Sequence, residues 1–248
     1  MKEIIGFFGG DHQTGTTMTA WSFAERLSEQ GQKVLLILGS GSDDQALLPL
    51  DGGHSIDELK AGIRSGFVER DDLMQCLEKR KALWILPGIR NRLTAGQFME
   101  NTFEILLEGV QHDFDYIVID GGSDVRMGLT VSALNVCTIR YFVVTQQPKV
   151  IHRYLQCRQQ FLEPLGLEGR LILNQYRKDP ALFLKGDITK LTAAENVNII
   201  PYVQEGWQVE MEQKNLLAFS RFCRSIDELA SVFLPKEKKE GKWKKRFI

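Results

Sequence analysis

Short apolar runs alternate with amphipathic stretches along this chain. Residues 3–8, Glu3-Ile4-Ile5-Gly6-Phe7-Phe8, read as a short buried strand. A loop follows over residues 9–17. Residues 18–30 then place Ala20, Phe23, Ala24 and Leu27 at i, i+3, i+4 and i+7, which predicts a helix, with Gly31 at its C-terminal cap. Residues 33–38 form a continuous apolar run, as in a parallel strand covered on both faces. Two short helices are expected within residues 55–79, from Ile56, Leu59 and Ile63 and then from Leu73, Cys76 and Leu77. Residues 83–86 read as a strand stopped by Pro87-Gly88, and residues 94–111 as one helix carrying Phe98, Thr102, Ile105, Leu106 and Val110. Strands follow at 114–120, 139–144, 170–174 and 197–200. Helices are expected at 150–162 and around Ile226, Leu229, Ala230 and Phe233.

Strand and helix thus alternate repeatedly, which predicts an α/β fold: a doubly wound, mostly parallel sheet with helices on both faces. Ligands of such sheets bind beyond the carboxyl ends of the strands. Residues 10–17, Ser40, Asp120, Asn174 and Pro201 should share that edge. No internal repeat and no second domain boundary is evident, so residues 1–234 are expected to form one domain, followed by a tail at 235–248.

The loop Gly9-Gly10-Asp11-His12-Gln13-Thr14-Gly15-Thr16-Thr17 fits the phosphate-loop frame G-x-x-x-x-G-K-[ST] at Gly10, Gly15 and Thr17. It departs at Thr16, where the frame has lysine. Glycines let backbone N–H groups turn inward around an anion, and the N-terminus of the following helix adds a partial positive charge and unpaired donors. The Thr17 hydroxyl can hold magnesium. Asp120 ends a hydrophobic strand, the place from which a carboxylate positions magnesium through water. Threonine cannot bridge phosphates as lysine does, so the loop is equipped to bind phosphate and poorly equipped to cleave it. A glycine-rich turn with no ligand is the plainer reading of the loop taken alone.

The chain has 248 residues, 43% hydrophobic and 25% charged, with a formal net charge of −1. That charge gives no global field toward nucleic acid. No secretory signal and no bilayer-length apolar run is evident, so a cytoplasmic protein is expected. Cys76, Cys137, Cys157 and Cys223 form no C-x-x-C pair, and buried free thiols are expected. His12, His54, His112 and His152 show no metal spacing. His12 could donate to a phosphate from within the loop. Trp21 and Trp207 read as packing residues.

Taken together, Gly10 to Thr17, the run Gly31-Gln32-Lys33-Val34-Leu35-Leu36-Ile37, the strand ending at Asp120, Leu173-Asn174 and Ile200-Pro201 resemble the ParA/MinD family of deviant phosphate-loop ATPases. The resemblance spans residues 1–234. It implies ATP and Mg2+ as ligands, a nucleotide-dependent homodimer, Gly10, Asp11, Thr14, Gly15, Thr16, Thr17 and Met18 around the phosphates, and adenine near Asn174 and Pro201. It also locates three departures. Asp11 stands in place of the signature lysine that reaches the partner's phosphates, and Thr16 in place of the second lysine. Leu38 replaces the aspartate that orients the attacking water, and Asp43 or Asp44 is the candidate substitute. No residue is assigned as catalytic. Little or no hydrolysis is expected, in a dimeric positioning or scaffold factor. The alternative is an active ATPase using non-standard residues. Loops without the catalytic lysine are similar to the TadZ/CpaE branch, which positions pilus or secretion machinery, and to BcsQ-type proteins of cellulose secretion.

From Lys236 to Ile248 the composition changes to seven Lys or Arg against two Glu, with Trp243, Phe247 and Ile248 as apolar anchors. A solvated basic tail and a contact with an anionic inner membrane face both fit this. Nucleic acid is the lesser expectation.

Overall fold

The structure, a computed structural model, describes residues 3–41, 47–48, 50–51 and 53–234. Asp43, Asp44 and the basic segment from Lys236 to Ile248 lie outside the described residues. In chain order, β1 (Glu3–Gly9) leads through the loop into α1 (Thr16–Glu29) and β2 (Val34–Leu38). A 3-10 turn (Ile56–Leu59), α2 (Lys60–Ser65) and α3 (Arg70–Gln75) precede β3 (Glu78–Arg80) and β4 (Leu83–Leu86). Then come α4 (Thr102–Glu108), β5 (Tyr116–Asp120), α5 (Gly128–Val136), β6 (Ile139–Val144) and α6 (Pro148–Cys157). The chain continues through β7 (Arg170–Tyr176), α7 (Lys185–Thr192), β8 (Val197–Pro201), α8 (Gly206–Met211) and α9 (Ser220–Ala230).

The strands form one sheet in the order β3-β4-β2-β5-β1-β6-β7-β8, all parallel except β3 on β4. Each strand feeds its two faces by alternation. In β2, Val34, Leu36 and Leu38 enter the core beneath α1 and α9, while Leu35 and Ile37 enter the core of the opposite face. That second core takes Phe103 and Leu106 of α4, Leu129 and Ala133 of α5, and Val150, Ile151 and Tyr154 of α6. Helices therefore cover both faces, as the continuous apolar strands require. Arg26 of α1 pairs with Asp227 of α9 at 2.6 Å, joining the two helices of the first face.

The order reverses at β1, which lies between β5 and β6. In a doubly wound sheet that reversal opens a crevice at the carboxyl edge, and the 9–17 loop leaves β1 into it. Register brings Phe7 of β1 and Leu38 of β2 level with Asp120 of β5.

Residues 94–111 are not one helix. A 3-10 turn covers Arg92–Gln97, Phe98 is extended, and α4 begins only at Thr102. The Thr102 hydroxyl accepts from the Met99 N–H and donates to the Met99 carbonyl, holding the break. Trp21 is buried as expected, whereas Trp207 is 67% exposed and is not a packing residue. Cys76 and Cys137 are buried, but Cys157 and Cys223 are only half-buried, and all four are free. Among the described residues, no helix is long and apolar enough to cross a membrane.

Candidate functional site

The loop is held open by its own backbone. Gly9 N–H donates to Gly122 and Gly10 N–H to Val143, each at 2.8 Å, which pins the loop's entry to the ends of β5 and β6. Gln13 and Gly15 then take positive φ, 60° and 79°. The turn presents the N–H groups of residues 13–18 at the start of α1, where they find no acceptor among the described residues. Such a row of donors at a helix N-terminus is an anion cradle.

Thr17 and Asp120 meet directly. The Thr17 hydroxyl donates to Asp120 Oδ2 at 2.5 Å, and Asp120 is fully buried. A hydroxyl and a carboxylate side by side, both hard oxygen donors, suit magnesium that keeps part of its water shell. The residues present therefore fit both a phosphate chain and its metal.

The three departures have definite locations. The Asp11 carboxylate accepts from the His12 N–H at 2.8 Å and is paired with Arg153 of α6. Burial pushes this carboxyl up. The His12 amide and the Arg153 guanidinium, with Lys149 adding, outweigh burial and hold it below the usual carboxylate value. The repulsion that a free Asp11 would exert on phosphate is thus met by a neighbouring cation. The Thr16 side chain is turned inward, its hydroxyl 2.9 Å from that of Thr14, which also donates to the Asp11 carbonyl. Leu38 is 2% exposed at the end of β2, beside Asp120, and brings no charge there.

The depressed Asp11 titration makes a pH-dependent contribution. A carboxyl held low in the folded state stabilises it above the unfolded value, and that stabilisation is lost as pH falls through the folded value. Arg153 is half-exposed, so the pair contributes at most about 1 kcal/mol. Arg153→Gln should cost up to that amount at neutral pH and progressively less in acid. Urea unfolding of both proteins at each pH reads this, and a cost that does not shrink in acid contradicts it.

Beyond the loop lies a cavity of about 220 Å3 between the ends of β7 and β8 and α8. Gly15, Met18, Asn174 and Pro201 all line it, together with Gln175, Tyr202 and the exposed Trp207. Asn174 Nδ2 donates to the Thr14 carbonyl at 2.8 Å, and its Oδ1 accepts from the Gln175 N–H. Asn174 thereby ties β7 to the loop while lining the cavity. Arg177 stacks over Tyr202 at 3.6 Å. Burial pushes the Glu210 carboxyl, also in the cavity wall, upward.

Some participants were not legible beforehand. Arg153 reaches Asp11 from a helix 142 residues away, with no sequence signal beyond its place on a basic helix. Trp207 is an exposed aromatic beside a cavity. His12 is exposed, its Nδ1 3.2 Å from Ser123 Oγ, at the mouth of the loop.

No family model matches the chain, and no curated protein matches it in sequence. Solved structures do match its fold. A ParA family ATPase from Chlorobium tepidum superposes with a TM-score of 0.78 at 18% identity, covering 93% of this chain and 99% of that one. The septum site-determining protein MinD of Pyrococcus horikoshii, complexed with Mg-ADP, gives 0.77 at 18% identity over 94% and 99%. The MinC:MinD cell division complex of Aquifex aeolicus gives 0.75 at 20% identity over 94% and 98%. The chain has the fold of the ParA/MinD ATPases.

Proposed function

We propose that this chain, built on the ParA/MinD fold, binds a nucleoside triphosphate with magnesium at the 9–17 loop and hydrolyses it slowly or not at all. It would act as a nucleotide-held dimeric positioning or scaffold factor. One observation carries this reading. The donor row of residues 13–18 and the Thr17–Asp120 pair are kept, while each lost charged group is replaced by one engaged elsewhere or by none. Asp11 is committed to Arg153, Thr16 to Thr14, and Leu38 is apolar and buried.

On this reading the backbone of residues 13–18 holds the phosphates, and Asn174, Pro201 and Trp207 flank the base. Thr17 and Asp120 hold magnesium, which would offset phosphate charge. Cations aimed at a transferring phosphoryl group and an acid that orients water supply much of such a reaction's rate. Losing one stabilising donor commonly costs ~2.7–4 kcal/mol. Residues 1–234 serve as the nucleotide unit. Residues 236–248 would add a contact with an anionic membrane face. The TadZ/CpaE resemblance extends the reading to a pilus or secretion apparatus as the client, and the BcsQ resemblance to cellulose secretion.

A working ATPase is the second reading, favoured by Arg153, whose half-exposed guanidinium is paired with Asp11, the residue in place of the signature lysine. One pair of measurements separates the two. Calorimetric titration of the full chain with ATP and magnesium should give one site per chain, with phosphate release no faster than in the absence of protein. Absence of any binding up to millimolar ATP rejects both readings. Phosphate release that Asp120→Ala abolishes rejects the first and supports the second.

A further inference from the structure

Away from the loop, the fold brings together three side chains that the sequence keeps apart. His54 precedes the 3-10 turn, Glu58 lies within it, and Cys76 caps the end of α3. An imidazole nitrogen, a carboxylate oxygen and a thiol sulfur all lie within 4.8 Å of one another. Histidine spacing alone gave no hint of this, because the partners are a glutamate and a cysteine from different elements.

We propose that His54, Glu58 and Cys76 form a zinc site that clasps the 3-10 turn to the end of α3. The donor set is the argument. A mixed nitrogen, oxygen and sulfur set suits a borderline ion of tetrahedral habit, and magnesium or calcium would not recruit the sulfur. Around zinc, donors at about 2.0–2.3 Å stand roughly 3.3–3.8 Å apart, so closure asks for movements of about an ångström. The exposed His54 can supply this, while Glu58 is held by its hydrogen bonds to Ser55 and Cys76 is buried.

The surroundings support the geometry. Glu58 is already oriented, because its Oε2 accepts from the Ser55 N–H at 2.5 Å and the Ser55 hydroxyl at 3.0 Å. Its Oε1 lies at a loose 3.8 Å from Arg90 Nη1 and is the oxygen that would take the metal. Such hydrogen bonding of a ligand carboxylate is what fixes its direction in metal sites. Cys76 is a free, buried cysteine that brings a thiol to the site. Metal binding would release the thiol proton to solvent as the sulfur–metal bond forms, with water completing the coordination.

The test uses the tag-free full chain, stripped of metal and titrated with Zn2+ and separately with Co2+. One equivalent should bind. The cobalt form should show a near-ultraviolet thiolate-to-cobalt charge-transfer band, and zinc should raise the melting temperature. Cys76→Ser should remove the band, and His54→Ala should weaken zinc binding by at least about tenfold, the lower end of what ligand-shell changes cost. Should Cys76→Ser fail to fold, His54→Ala at its exposed position still decides. No binding at micromolar metal, binding without the charge-transfer band, or binding indifferent to His54→Ala overturns the proposal. None of these outcomes depends on nucleotide binding at the loop.

Discussion

Replacing Thr16 with lysine should tighten binding of ATP with magnesium by about 10–100-fold while leaving hydrolysis near background. A hydrogen bond to a charged partner contributes about 1.5–3 kcal/mol, and each 1.4 kcal/mol is about tenfold in affinity. The new ammonium would start from the first residue of α1, beside the N–H groups of the loop that find no acceptor among the described residues. Some stability should be lost, because Thr16 is buried and its hydroxyl bond to Thr14, at 2.9 Å, disappears. One such bond is worth about 1 kcal/mol. Thr16→Met separates the two effects: it carries similar length without charge and should match the lysine variant in stability but not in affinity. Turnover should stay low because Leu38 remains at the register position beside Asp120, where it supplies no acid. Calorimetry of the three proteins measures the affinities. Equal affinity in the lysine and methionine variants would mean that the loop does not face phosphate at this position.

Much of this architecture was legible because the sheet is parallel and buried on both faces. Such strands carry unbroken apolar runs, and residues 34–38 and 141–144 needed no finer pattern to be placed. The hidden elements have specific physical reasons. β3 is three residues, Glu78–Arg80, paired only along the sheet edge, so its composition is polar. α5 reads Gly-Leu-Thr-Val-Ser-Ala-Leu-Asn-Val, and buries Thr130 and Ser132 as well as Leu129, Ala133 and Leu134. With polar and apolar positions both inside, it shows no amphipathic stripe for periodicity to find. α8 has the opposite character, burying no residue fully. At the site, the loop frame and the Asp120 strand end are local signals and could be read directly. The pairing of Asp11 with Arg153 is a tertiary event, and so is the convergence of His54, Glu58 and Cys76. Nothing in linear spacing reports a contact that only the packing of α6 on β6, or of α3 near the 3-10 turn, creates.

Two glycines with nearly the same backbone should respond differently to alanine, and the difference tests the loop itself. Gly15 and Gly31 sit at φ 79° and 83°, a region that costs a residue with a Cβ about 1–2 kcal/mol. At Gly31, beyond the end of α1, an added Cβ meets nothing within 4 Å. Gly31→Ala should therefore cost that strain alone and leave nucleotide affinity unchanged. At Gly15 the same atom would lie 2.4 Å from Asn174 Nδ2, whose bond to the Thr14 carbonyl ties β7 to the loop. The buried amide must withdraw, adding about 1–3 kcal/mol for the group left unsatisfied. The donor row of residues 13–18 moves with it. Gly15→Ala should thus lose roughly 2–5 kcal/mol of stability by the sum of these terms and at least about tenfold in ATP affinity. In an Asn174→Ala background the clash is gone, and Gly15→Ala should cost no more than Gly31→Ala does. Denaturant unfolding across this double-mutant cycle measures the coupling. Additive costs would show that Asn174 does not set the shape of the loop, and the cradle would then need another support.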